Sequence, residues 1–220
     1  MYTPPMFMAE RAASLAFAEA RGFGTVCAFD GAKPIASQLP FYLTYTDDGT
    51  PTALFHVARG NPLVKLADGA SFWLLAVNGA DAYVSADWYV SADQVPTWLY
   101  QSVHLTGPVK TLSEHELAAQ VDALSAKFEN WLLPKKPWMS AKMTAARLET
   151  LKKAIVGFAM TVEEVEGSFK LNQHKSEADY VAIADALALQ GDTGSQRIAS
   201  LMRETRPQAF SAPAVEEQKP

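Results

Sequence analysis

The chain is poor in cysteine, in basic residues and in long apolar runs. Its single cysteine, Cys27, excludes an internal disulfide, and no window approaches the roughly eighteen consecutive apolar residues of a membrane span. Lys and Arg number 19 against 24 Asp and Glu, a net charge of −5, which argues against a broad nucleic-acid-binding surface. The N-terminus has no basic region ahead of an apolar core. We therefore expect a cytoplasmic protein that does not insert into membranes.

The motifs of the common enzyme classes are also missing. The sequence has no Gly-x-Ser-x-Gly, no Walker loop, no Gly-x-Gly-x-x-Gly, no His-Glu-x-x-His and no paired cysteines for zinc. The histidines, which are His56, His104, His115 and His174, are scattered singly. No metal site is therefore predicted, and the catalytic residues, if there are any, stay unknown.

The most distinctive stretch is 95–107, VPTWLYQSVHLTG, which is rich in β-branched and aromatic residues and is predicted to be a strand that ends at Gly107. Because side chains alternate along a strand, one face carries Trp98, Tyr100, Ser102, His104 and Thr106. Such a face suits a planar amphipathic ligand or an interface. The alternative is a half-buried strand whose aromatic rings cover the edge of the core.

Strands dominate the first half of the chain. They are predicted at 24–29, 35–45, 52–57, 72–77, 82–85 and 95–107. Turns are predicted at Asp30-Gly31, at 47–50 and at Asn78-Gly79, and Pro40 suggests a bulge or a sheet edge. Since few helical crossovers separate these strands, the pattern predicts antiparallel connections and a closed or half-closed barrel.

Helices and one further strand complete the predicted fold. Helices are predicted at 8–21, 61–67, 113–131, 140–153, 176–191 and 193–204, and a strand at 156–162 leads through a turn at Glu166-Gly167 into 168–174. The fold class is α+β, mainly β: a split antiparallel β-barrel with peripheral helices and a C-terminal helical segment. We predict a single domain over residues 1–204 and a flexible tail over 205–220.

Arg59 is a candidate anion-binding residue. It lies between a strand end and a helix that Asn61 and Pro62 can begin, where free backbone N–H groups and a guanidinium can hold a phosphate. The alternative is a surface ion pair with an acidic neighbour. The adjacent Lys152 and Lys153 are interpreted as a solvated corner. An aromatic strand face together with an anion-binding corner is what a flavin mononucleotide (FMN) requires.

Several ordered segments together resemble a known family. They are 1–5 (MYTPP), 56–62 (HVARGNP), 82–89 (AYVSADWY), 95–104 (VPTWLYQSVH), 155–157 (IVG) and 166–173 (EGSFKLNQ). Over about residues 1–190 the chain resembles the PaiB-like family of FMN-binding negative transcriptional regulators. That resemblance implies a split barrel of the pyridoxamine-phosphate-oxidase type, a homodimer, and FMN held at the subunit interface.

The resemblance also implies a set of cofactor-binding residues. The positions that match the family pattern are His56, Arg59, Asn61, Trp98, Tyr100, His104, Lys170 and Gln173. Polar family residues are replaced at Gln38, Leu99 and Ser168, among others. Three functions therefore stay open: a flavin-linked sensor or regulator, an FMN-dependent oxidoreductase, and a regulatory module without cofactor. Without a helix-turn-helix or a basic recognition helix, any regulation is expected to be indirect or to use the C-terminal helices in an unusual mode.

Overall fold

The computed structural model describes residues 1–211, which contain eight β-strands and five α-helices. The strands are β1 (Met8–Ala9), β2 (Phe23–Phe29), β3 (Pro34–Tyr45), β4 (Pro51–Ala58), β5 (Phe72–Val84), β6 (Thr97–Thr111), β7 (Ile155–Thr161) and β8 (Glu164–Lys170). The α-helices are α1 (Arg11–Arg21), α2 (Glu114–Asn130), α3 (Ala145–Lys153), α4 (Glu177–Ala188) and α5 (Thr193–Thr205). None of the helices in this described range is long and apolar enough to span a bilayer.

The strands form one sheet in the order β1-β8-β6-β5-β2-β3-β4-β7, and β6 pairs with β7 as well. This second pairing closes the six strands from β6 through β5, β2, β3 and β4 to β7 into a barrel. On the side away from β5, β6 pairs with both β7 and β8. Strand β3 changes partner beside Pro40: residues up to Pro40 pair with β2, and residues from Phe41 pair with β4, both antiparallel. The predicted split antiparallel barrel and the α+β, mainly β class are confirmed.

The contacts within the chain define two compact units. The barrel unit comprises Glu10–Val77 and Val103–Glu166, and the terminal unit comprises Met1–Ala9, Asn78–Ser102 and the chain from Gly167. The single domain predicted over residues 1–204 therefore stays a prediction. The boundary between the units divides two strands: the part of β5 up to Val77 and the part of β6 from Val103 belong to the barrel unit, and the rest of both strands belongs to the terminal unit.

The barrel unit is built around three aromatic rings. Phe55, Trp73 and Phe158 are buried and lie with ring centroids 5.5 to 6.5 Å apart. The strands of Phe55 and Trp73 alternate buried and less buried residues, as expected when one face of a sheet covers a core, whereas β7 is buried from Val156 to Met160. Outside the barrel, α2 begins with a capping box in which Ser113 and Glu116 bond reciprocally, the arrangement that a Ser-x-x-Glu spacing favours.

In the terminal unit, α4 and α5 pack against the C-terminal end of β5 and the N-terminal end of β6. Its buried core includes Val84, Leu99, Tyr180, Ile183, Ile198 and Met202. The Tyr180 hydroxyl donates to the carbonyl of Met202 at 2.8 Å, and burial raises the pKa of Tyr180 to about 12, so the phenol stays protonated. The predicted C-terminal helical segment is therefore an integral part of this core.

Three predicted breaks in the strands are wrong. Asn78-Gly79 is not a turn, because β5 runs unbroken from Phe72 to Val84 and the Ser102 hydroxyl donates to Asn78 Oδ1 at 2.8 Å. Gly107 does not end β6, which continues to Thr111. Glu166-Gly167 is not a turn either, since both residues lie inside β8. In each case pairing with a neighbouring strand overrides the turn preference of the local sequence.

The helical predictions are right in place, and apart from α5, which ends one residue later than predicted, they are too long. The helix predicted from residue 8 begins at Arg11, because Met8 and Ala9 pair with β8 instead. The helix predicted over 61–67 is a 3-10 helix, Pro62–Lys65, with Asn61 as its N-cap. The helix predicted over 140–153 divides into a 3-10 turn, Ser140–Lys142, and α3.

The first residues of the predicted flexible tail, 205–211, lie within the described structure. Thr205 belongs to α5, and Pro207–Phe210 form a 3-10 turn in which Ala209 is buried and Phe210 packs against Tyr180. Residues 212–220, which hold the rest of the predicted flexible tail, lie outside the described residues.

Candidate functional site

Arg59 is held in a fixed position by main-chain carbonyls. It follows Ala58, the last residue of β4. Its Nε donates to the carbonyl of Lys153 at 2.6 Å and its Nη2 to that of Ile155 at 3.0 Å, and its backbone N–H donates to the Ala154 carbonyl at 2.8 Å. These partners are carbonyls, not the carboxylate of the surface ion pair considered above. The guanidinium is therefore oriented while the side chain stays exposed.

A cleft of about 320 Å³ lies beside Arg59 in the barrel unit. Its lining includes Arg59, Glu114, His115, Glu149, Lys152 and Lys153. Lys152 forms an ion pair with Glu149, and the lining also holds the charges of Arg59, Lys153 and Glu114. We call this feature the Arg59 cleft. Lys152 and Lys153, interpreted above as a solvated corner, line this cleft, and Lys153 is exposed.

The N-terminus of α2 adds to the positive potential of the Arg59 cleft. Glu114 and His115 are the first two residues of α2, and the first N–H groups of a helix have no partner within it. Together with the helix dipole, such groups favour an anion. The arrangement can therefore bind a phosphate group, with a guanidinium on one side and a helix N-terminus on another.

His56 makes its contact with α2. Its Nδ1 lies 3.3 Å from Oε1 of Gln120, a residue that is only 1% exposed. Burial lowers the pKa of His56, so its imidazole is neutral at pH 7. The Nε2 of Gln120 has no hydrogen-bond partner among residues 1–211. Sequence reasoning missed Gln120, because nothing in its local pattern distinguishes it from a surface residue of α2.

Asn61 and His104 also lie in the barrel unit. Asn61 Oδ1 accepts from the N–H of Leu63 at 3.0 Å, and its Nδ2 donates to the Ser37 hydroxyl at 2.8 Å. Both ends of this amide are therefore engaged in fixing the turn after β4. His104 is half-buried on β6, and burial lowers its pKa.

The other four predicted residues belong to the terminal unit. Lys170 Nζ donates to the Thr97 hydroxyl at 2.6 Å. The amide of Gln173 accepts from the N–H of Leu171 and donates to two carbonyls, those of Met6 and Phe169. Trp98 is 54% exposed, and Tyr100 is half-buried.

The eight predicted residues thus fall into two sets. His56, Arg59, Asn61 and His104 lie in the barrel unit, and Trp98, Tyr100, Lys170 and Gln173 lie in the terminal unit. Within the first set, Arg59 lines the cleft, whereas His56 and Asn61 are bonded to other parts of the barrel unit. Their assignment to a cofactor stays a prediction.

The predicted faces of the central strand agree with the burial of its side chains. Leu99, Val103 and Leu105 are fully buried on one face of β6. On the other face Trp98 is exposed and His104 is only half-buried. The aromatic and polar face is therefore not part of the barrel core.

Comparison with solved structures shows the fold. The flavocytochrome Anf3 from Azotobacter vinelandii superposes with a TM-score of 0.55 and 15% identity over 75% of this chain and 70% of its own. The FAD and heme binding protein from Mycobacterium smegmatis superposes with a TM-score of 0.53 and 15% identity over 73% and 71%. At these identities the likeness extends to the architecture alone.

Comparison of sequences shows the family. The protease synthase and sporulation protein PAI 2 from Bacillus subtilis is 33% identical over 205 residues, which are 93% of this chain and 97% of that protein. An uncharacterized protein, AN0679, from Emericella nidulans is 25% identical over 160 residues, 66% of this chain and 62% of its own. The family model described as "Putative FMN-binding domain" matches residues 1–164. The chain therefore belongs to this FMN-binding domain family and is a homologue of PAI 2.

Proposed function

We propose that this protein binds FMN and that the phosphate of FMN occupies the Arg59 cleft. The observation that carries the proposal is the fixed guanidinium of Arg59 beside the N-terminus of α2, inside the range that the family model matches. A phosphate gains charge-assisted hydrogen bonds from such groups. The cleft is at the small end of the range for ligand pockets, about 300 to 1,000 Å³, which suits the phosphate and ribityl end of the cofactor.

Bound FMN would supply hydride or electron transfer, or a signal of redox state. The name of the Bacillus subtilis relative refers to protease synthesis and sporulation, which supports a regulatory role for this chain too. We propose a flavin-linked regulator in which the ring of FMN lies beyond the Arg59 cleft.

The first prediction concerns Arg59→Ala. We expect the dissociation constant for FMN to rise about 10- to 100-fold, because a hydrogen bond between charged groups contributes about 1.5 to 3 kcal/mol. The measurement is a titration of purified protein with FMN, followed by quenching of flavin fluorescence. Arg59→Lys keeps the charge and loses the fork of donors, so we expect an intermediate affinity.

The matched control is Arg147→Ala, which removes an exposed arginine from α3 outside the lining of the cleft. Its affinity for FMN should equal that of the unaltered protein. Because Arg59 also bonds to two carbonyls, each variant is checked by its melting temperature. Wild-type affinity in a folded Arg59→Ala protein would refute the placement of the phosphate, and no FMN binding by the unaltered protein would refute the proposed function.

We also propose a cytoplasmic homodimer that does not read DNA directly. The support is the family resemblance for the dimer and the net charge of −5 for the absence of a DNA surface. Light scattering on purified protein should give twice the chain mass of 23.9 kDa. Addition of a DNA duplex at physiological salt should leave that mass unchanged. A monomer, or a complex that includes the duplex, would contradict this proposal.

A further inference from the structure

The terminal unit exposes two large aromatic rings beside a third, Trp88, that packs against its core. Trp98 is 54% exposed and Tyr83 is 48% exposed, and Trp88 is half-buried beside them. Single exposed apolar residues are common on protein surfaces, whereas a group of large aromatic rings in contact indicates a binding surface. The three rings come from β5, from β6 and from the turn between them, so the fold brings them together.

Two of these rings form a corner. The centroids of Tyr83 and Trp98 are 5.9 Å apart and their planes meet at 68°. At this angle the edge of one ring meets the face of the other, and both residues stay about half exposed. A pocket of about 430 Å³ lies here, and its lining includes Asp81, Tyr83, Trp88, Trp98, Gln190 and Asp192. We call it the aromatic pocket.

The charged side chains that line the aromatic pocket are all negative. Asp81 and Asp192 contribute carboxylates, and the described lining residues include no lysine or arginine. Asp192 Oδ1 accepts from the N–H of Ser195 at 2.8 Å at the start of α5. Hydrogen bonds from Ser195 lower the pKa of Asp192, so this carboxylate is ionised at neutral pH. A phosphate would be repelled here, in contrast to the Arg59 cleft.

We propose that the aromatic pocket binds an organic cation of the alkylammonium class. The faces of Trp and Tyr rings carry negative potential and attract a cation that lies within about 6 Å of the ring centroid. The carboxylates of Asp81 and Asp192 add a Coulombic attraction, and the pocket has room for several methyl or methylene groups around the nitrogen. The proposal does not depend on FMN binding, because it uses the terminal unit alone.

The test uses choline and its uncharged analogue 3,3-dimethylbutan-1-ol, which has the same shape without the positive nitrogen. The indole N–H signals of the five tryptophans are recorded by NMR, and Trp88→Phe and Trp98→Phe identify the two signals of interest. We expect choline to shift both signals and to bind at least about fivefold more tightly than the alcohol, since a cation–π contact contributes about 1 kcal/mol. Sodium chloride at equal ionic strength should shift neither signal.

Charge variants complete the test. Asp81→Asn should weaken choline binding at least about threefold, whereas Glu177→Gln removes the same charge from α4 outside the pocket and should leave it unchanged. Trp98→Phe should weaken binding, because a phenyl ring attracts cations less than an indole does. Equal affinity for choline and the alcohol would overturn the proposal.

Two other results would also overturn it. The first is displacement of choline by FMN, which would assign the pocket to the flavin. The second is no shift of either indole signal in a protein shown to be dimeric, which would assign these rings to the contact with a second copy of the chain.

Discussion

Replacement of Gly107 by alanine should destabilise the barrel unit severely. A Cβ atom at this position would lie 1.7 Å from the carbonyl oxygen of Thr161 and 2.9 Å from its carbonyl carbon. Both of these are main-chain atoms, which cannot move aside as a flexible side chain can. We expect the free energy of unfolding to fall by about 3 kcal/mol or more, and the melting temperature by about 10 °C.

The cause is the closure of the barrel. Near Gly107 the chain after β7 crosses β6 so closely that the N–H of Glu163 donates to the Thr106 carbonyl at 3.0 Å. A few residues further along, Val109 pairs with Met160 in the contact that joins the two edges of the barrel. An added methyl group would therefore push apart the strands that close the barrel, and a large part of the sheet would lose its register.

Gly60→Ala provides the matched control for Gly107→Ala. It makes the same chemical change in the same unit, and a Cβ atom there would meet nothing within 4 Å among the described residues. Scanning calorimetry of the three proteins should show Gly60→Ala within a few degrees of the unaltered chain. Equal melting temperatures for Gly107→Ala and Gly60→Ala would show that the close approach at Thr161 does not constrain the barrel.

Gly107 also shows why sequence reasoning recovered the fold class without the exact strand ends. Glycine followed by proline normally ends a strand, so residue 107 was predicted as the end of β6. The glycine is required instead because the main chain at Thr161 approaches it closely. Thr161 is more than fifty positions away in the sequence. Alternation along β6 is a local property, and it is predicted correctly for Trp98 to Tyr100 and for Val103 to Leu105, but not for Gln101 and Ser102, since Ser102 is buried and donates to Asn78.

The candidate site also combines features that depend on the local sequence with features that depend on distant residues. Arg59 was found because its neighbours, a strand end and the N-cap Asn61, are local signals. Its partners Lys153 and Ile155 lie over ninety residues away and meet it because β4 pairs with β7. Sequence periodicity carries no information about such a pairing, so the basic pair at 152–153 could not be connected to Arg59 in advance.

Replacement of Asp179 by alanine should give a comparable loss of stability in the terminal unit. Asp179 is 3% exposed. Its Oδ1 accepts from the N–H groups of Val90 and Ser91 at 2.8 and 2.9 Å, and its Oδ2 accepts from the hydroxyls of Ser91 and Ser176 at 2.7 and 2.9 Å. One carboxylate thus fixes the loop before β6 to the start of α4. Without it the melting temperature should fall by about 5 to 10 °C.

The same network predicts how the loss depends on pH. Hydrogen bonds from Ser91, the largest cause, and from its neighbours lower the pKa of Asp179 to about 2, against 3.8 for an ordinary aspartate. A carboxyl group whose pKa is lower in the folded state stabilises the protein above its unfolded pKa. That contribution is lost as the pH falls from about 4 through about 2, because protonation removes the acceptor.

The difference in melting temperature between the unaltered chain and Asp179→Asn isolates this group from the other carboxylates. It should be constant from pH 7 to pH 5 and should shrink as the pH falls towards 2. Asp68→Asn serves as the comparison, since its pKa is also lowered to about 2, by hydrogen bonds from Ser71 and Ala70, but in an exposed turn. Because that turn is solvated, the difference in melting temperature between the unaltered chain and Asp68→Asn should depend on pH in the same way but be smaller. A difference for Asp179→Asn that does not change between pH 5 and pH 2 would mean that the charge of Asp179 does not stabilise the terminal unit, and that its packing alone does.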